Sequence, residues 1–148
     1  MQLKTRALGA LAGLLLVAVS GAVSAADRPY TEGPVVDVAT VRTEPGKFDD
    51  YLRYLAGPYK QLMEEQKKAG IIVSYAVYQA TPRGPHDPDL YLVTTYKNMA
   101  ALDGLDARTD PIQEKIFGSL DQQSAATIER GKLRTLIGSQ HIRELVLK

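Results

Sequence analysis

The sequence predicts an α+β domain built as a split βαβ unit, with a four-stranded antiparallel sheet and extra helical segments. Three observations carry this reading. A β-branched run at residues 35–41 is followed by a long apolar helical stripe at residues 48–63. Two further strand-like runs, 71–80 and 89–96, flank the stretch Thr81-Pro82-Arg83-Gly84-Pro85-His86-Asp87-Pro88, which suits neither helix nor ladder, so the two runs pair as an antiparallel hairpin. The chain then passes through helical segments to a last strand at residues 140–147, giving the order strand, helix, strand, strand, helical segment, strand.

Each element has a local reason. Val35-Val36-Asp37-Val38-Ala39-Thr40-Val41 suits a pleated, half-buried surface, and Glu44-Pro45-Gly46 closes it. Phe48, Tyr51, Leu52, Leu55, Tyr59, Leu62 and Met63 recur at three-four spacing and so form one stripe of a helix. Gly57-Pro58 interrupts that stripe with a residue that lacks a donor and crowds the preceding turn, so a kink is expected there. Glu64 and Lys68 are spaced for an ion pair, and Gly70 for a C-terminal cap. Asn98 caps a helix starting at Met99, and Asp110-Pro111 restarts helix after a break. Ser119 and Gln122 match a capping box for a helix running toward Leu136 and ended by Gly138. Both faces of the second and third strands are largely apolar or aromatic. Helices cover one face of such a sheet, so a second subunit is the economical cover for the other.

The start of the chain has a different character. Lys4 and Arg6 precede an apolar run from Ala7 to Val19, and Ser20-Gly21-Ala22-Val23-Ser24-Ala25-Ala26 follows, which is the three-zone pattern of a cleavable secretory signal. The division expected is a signal peptide at 1–26, a loosely held leader at 27–34 and a single domain at 35–148. A periplasmic or secreted location follows, with no membrane attachment after cleavage. No cysteine occurs, which excludes a lipidated thiol, disulfides, thiolate metal sites and cysteine nucleophiles. The balance of 18 basic and 17 acidic residues offers no basic stripe for nucleic acid.

Two segments carry a resemblance. They are Thr43-Glu44-Pro45-Gly46-Lys47-Phe48-Asp49-Asp50-Tyr51-Leu52, after the first strand, and Leu92-Val93-Thr94-Thr95-Tyr96-Lys97-Asn98-Met99-Ala100-Ala101-Leu102, at the end of the third. With them the chain resembles the dimeric α/β-barrel superfamily over most of residues 35–148. The resemblance implies a ferredoxin-like subunit that pairs with a second copy into a barrel. Members of the superfamily include cofactor-free monooxygenases, haem-binding enzymes, isomerases and stress-related proteins, and their sites differ, so no catalytic residue is carried over.

Candidate chemistry is sparse. His141 and Arg143 share a face of the last strand, where a histidine can move protons or ligate haem. Asp37 lies in an apolar strand, where an uncompensated carboxylate is costly and a shifted acid or base is the functional reading. Pairing of Arg143 with Asp37 or Glu144 would account for these charges structurally. Tyr75, Tyr78 and Tyr91 can line an aromatic ligand pocket. His86, between turn-forming residues, reads as loop. No metal motif or cofactor motif is present, and the two histidines are too far apart for a zinc pattern. The expectation is an exported homodimer whose interior binds a small apolar or aromatic ligand. The alternatives are a cofactor-independent monooxygenase or haem-handling enzyme, and a structural or stress-related protein without catalysis.

Overall fold

A computed structural model describes residues 28–148; the expected signal peptide lies outside the described residues. The elements run β1 (Tyr30–Thr43), α1 (Phe48–Tyr54), a π-helical turn (Leu55–Tyr59), α2 (Lys60–Lys68), β2 (Ser74–Gln79), β3 (Leu90–Tyr96), a 3₁₀ turn (Met99–Leu102), α3 (Leu105–Phe117), α4 (Leu120–Gly131) and β4 (Arg134–Leu147). The strands form one sheet in the order β2-β3-β1-β4, antiparallel throughout. This is the split βαβ topology expected.

One face of the sheet is packed by helices. Val35, Val41, Leu90 and Tyr51 have at most 1% of their surface exposed. Two clusters make the core, one around Val35, Met63, Ile71, Ile72 and Tyr96, the other around Val41, Tyr51, Leu55 and Leu90. The interruption at Gly57-Pro58 falls where the spacing placed it. Gly57 leaves helical geometry at φ −97, ψ −108, and the stripe resumes in α2. The turn matters for packing, because it carries Leu55 and Tyr59 onto the sheet on either side of the break. Gly70, at φ 70, ends α2 in the left-handed conformation that favours glycine.

Several boundaries differ from expectation. β1 begins at Tyr30, so most of the expected leader is strand: Tyr30, Thr31 and Glu32 pair with Leu147, Val146 and Leu145. β4 begins at Arg134, so the residues expected to end a helix, Leu136 and Gly138, sit opposite Val41 and Thr40. Long pairing satisfies the backbone of both strands, and local propensity did not reveal it. α3 runs unbroken through Pro111, where a restart was expected. It starts at Leu105, after Gly104 turns the chain at φ 60, and Ile112 packs on the core one residue beyond the proline. Helix capping followed the sequence: Asn98 accepts from the Ala101 amide, and Ser119 and Gln122 form a reciprocal capping box. The Glu64–Lys68 pair does not form; Lys68 pairs with Glu65, and Glu64 accepts from the Tyr75 hydroxyl at 2.6 Å.

Candidate functional site

Strand register sorts the candidate residues onto two faces. On the helix side one row crosses the sheet as His141, Asp37, Thr94 and Tyr75. Asp37 Oδ1 accepts from Ser139 Oγ at 3.0 Å and lies 3.6 Å from His141 Nε2. The Asp37 charge also helps burial hold the nearby Tyr96 hydroxyl above its usual range. The sequence thus selected two residues that the fold brings together, and missed Ser139, whose part depends on cross-strand register. The pair is not deeply enclosed, since the His141 side chain is 52% exposed. Arg143 belongs to a different contact: its Nη1 binds Glu32 at 2.7 Å, so neither expected partner, Asp37 nor Glu144, holds it.

Further along that row the tyrosines are structural. Tyr75 meets Tyr59 edge-on at 6.2 Å and donates to Glu64, which pushes its hydroxyl pKa up to about 12. Tyr75 therefore sits among the helices, apart from Tyr78 and Tyr91. Tyr59 is pushed up to about 12 chiefly by burial, although neighbouring Thr94 works in the opposite direction. Beyond it, Arg130 Nη1 donates to the Tyr54 hydroxyl at 2.9 Å with the guanidinium over that ring, and the Arg134 charge near Tyr51 works against the rise that burial gives its hydroxyl pKa. Neither arginine faces a carboxylate within ion-pair distance among the described residues. No spacing in the sequence announces this Arg–Tyr cluster, because α1, α4 and β4 meet only in the fold.

The other face carries no helix. Its rows read Tyr78, Tyr91, Thr40, Gly138, then Ala76, Val93, Val38, Gln140, then Ser74, Thr95, Val36, Ile142. Tyr78 is 58% and Ile142 48% exposed. A hollow of about 300 Å³ lies on this side, lined by Val38, Thr40, Ile137, Gly138, Ser139 and Gln140. Two features open it: β4 spends an extra residue, Ile137, between the Thr40 and Val41 pairs, and Gly138 places no side chain opposite Thr40, whose hydroxyl binds the Gly138 carbonyl. Tyr91 borders Thr40 in register, so two of the three candidate tyrosines share the row that ends at the hollow.

His86 stands in the loop between β2 and β3, where Asp87 accepts from the Arg83 amide and Asp89 from the Thr43 amide and hydroxyl. Among the described residues no three histidine or acidic side chains group as metal ligands, and no helix is long and apolar enough to cross a membrane.

No family model matches the chain, and no curated protein matches it significantly. Solved structures do share its fold. Protein SO0527 from Shewanella oneidensis is 14% identical with a TM-score of 0.50, covering 79% of this chain and 96% of its own. HapK from Hahella chejuensis is 9% identical with a TM-score of 0.50, covering 74% and 91%. A dimeric ferredoxin-like protein from an uncultured marine organism is 10% identical with a TM-score of 0.49, covering 80% and 90%. With the strand order β2-β3-β1-β4 and helices on one face, the subunit has a ferredoxin-like α+β fold.

Proposed function

We propose that the protein is exported and works as a homodimer whose two sheets close over one another, enclosing a site for a small apolar or aromatic molecule. The observation that supports this is the helix-free face of the sheet, where Val36, Val38, Val93, Tyr78, Tyr91 and Ile142 lie beside a hollow of about 300 Å³. A contiguous apolar surface of this kind is costly in water, and a second copy covers it without a new gene product. Covering it also shields the hollow from solvent, with Tyr91 and Thr40 at its border to orient a ligand. The secretory pattern at the N-terminus supports export, and processing after Ala25 or Ala26 by mass spectrometry of periplasmic protein is the matching check.

The experiment is sedimentation velocity at micromolar concentration together with titration of N-phenyl-1-naphthylamine, an apolar aromatic dye. A dimer that binds the dye, and a Gly138→Leu variant that stays dimeric but does not, are expected. A stable monomer would sink the reading.

A second reading rests on the helix-side contact of Asp37, Ser139 and His141. In it the protein is a cofactor-independent oxygenase, and His141, oriented by Asp37, accepts a proton from a phenolic or quinol substrate. Oxygen uptake with a panel of hydroquinones, lost in both His141→Gln and Asp37→Asn, is its test. Uptake that is absent, or indifferent to both substitutions, removes it.

A further inference from the structure

β1 and β4 are each 14 residues long, whereas β3 pairs with β1 only from Val35 to Val41. At the other side of Val35, residues Tyr30–Glu32 and Leu145–Leu147 therefore leave the four-stranded body and continue as a two-stranded arm. The Lys148 amide still bonds the Pro29 carbonyl at 3.0 Å, so the arm is paired to its tip.

A two-stranded ribbon is at best marginal in water, yet the β4 half of this one exposes apolar side chains on both sides, beside Thr31 and Glu32 of β1. Leu145 and Leu147 point to one face and Val146 to the other, and they are 51%, 79% and 46% exposed. A bulge sets the arm's direction. Gly33 and Pro34 together oppose the single residue Glu144, which bends and twists the ribbon where it leaves the body. The strands run so close at Gly33 that a Cβ there would stand 3.0 Å from the Glu144 Cβ and 3.2 Å from its carbonyl oxygen. Proline at the next position has no donor to lose.

We infer that this arm is a clasp, and that its occupant is the body of a second copy of this chain. The inference rests on the homodimer proposed above and adds to it the element that holds the copies together. Area supports it. The helix-free face is four strands wide and about six residues long where all strands overlap, roughly 19 by 20 Å in projection. A stable interface takes about 800 Å² of accessible surface from each partner. The body of the face is small against that figure, and the arm extends it by about 10 Å of two-stranded ribbon. The arm is continuous with that face through Ile142, Glu144 and Val146 on the same side of β4. In a two-fold pair each copy offers an arm and receives one, so a single surface does both jobs.

The absence of cysteine makes the test clean. A Val146→Cys variant has one thiol, and its rate of maleimide labelling is followed from nanomolar to tens of micromolar protein. Labelling at least 10-fold slower at high concentration, in step with dimer formation by sedimentation, is the expected result. Alongside it, Thr31→Lys/Val146→Glu, a cross-strand pair on the side shared with Ile142, should keep its circular dichroism spectrum and weaken dimerisation at least 100-fold. Gly33→Val, which crowds the bulge, should weaken it less. If the wild type dimerises but the Val146→Cys rate ignores concentration and the double variant dimerises equally well, the clasp is overturned while the homodimer stands. If the wild type is monomeric, the homodimer reading itself fails.

Discussion

The two faces of this sheet share one backbone and differ in what covers them. On the helix side Val35, Val41 and Leu90 are almost completely buried, and Asp37 on the same face finds a partner within the subunit in Ser139. On the other side Tyr78 and Ile142 remain about half exposed and a hollow stands open. The contrast separates two jobs. The helix side holds the fold, and the bare side is available for assembly and ligand, so substitutions on the two faces should fail in different assays.

The largest effect should come from the helix side. Leu90→Ala removes a fully buried side chain from the cluster with Val41 and Tyr51, and should cost about 2–5 kcal/mol in urea unfolding. A cost under about 1 kcal/mol would mean that this face is not the structural core.

A pH series sharpens the same point. Burial raises the Tyr59 pKa from 10.0 to about 12, so the folded state holds this proton more tightly than the unfolded one. The associated stability is complete below pH 10 and is lost as pH rises from 10 toward 12. Tyr59→Phe should flatten the fall in melting temperature over that window.

Helix α4, which has no buried residue, depends on its cap. Ser119→Ala breaks the reciprocal box with Gln122 and should cost about 1 kcal/mol. The smallest effect on the fold, under about 0.5 kcal/mol at monomer concentrations, belongs to Tyr78→Ser on the bare face. Its consequence should appear as weaker dimerisation in sedimentation. A Tyr78→Ser variant that unfolds like Leu90→Ala would erase the distinction between the faces.

Much of the fold was legible because its causes are local. The apolar spacing from Phe48 to Met63, the break at Gly57-Pro58, the capping box at Ser119 and the strand-loop-strand pattern around Pro82 each depend on residues a few positions apart. The misread boundaries at Tyr30, Pro111 and Arg134 share a different cause. Glu32, Gly33 and Pro34 are poor strand formers taken alone, and residues 30–34 become strand because β4 is there to pair with them; Pro111 stays helical because Ile112 is docked beside it. The candidate site was legible only as a list. Asp37, His141, Tyr78 and Tyr91 were visible as residue types, but neither Ser139 nor Gly138 could be chosen, because each matters through the residue opposite it on β1.

By itself, then, the sequence determined the order and kind of the elements and the apolar surplus of the strands, since periodicity and caps act within a few residues of chain. Tertiary structure decided the register, and with it which side chains share a face, where the hollow opens, and how far β1 and β4 run on together as an arm. The reason is that side chains alternate along a strand: a shift of one residue sends every one of them to the opposite face, and only pairing between distant strands fixes that choice.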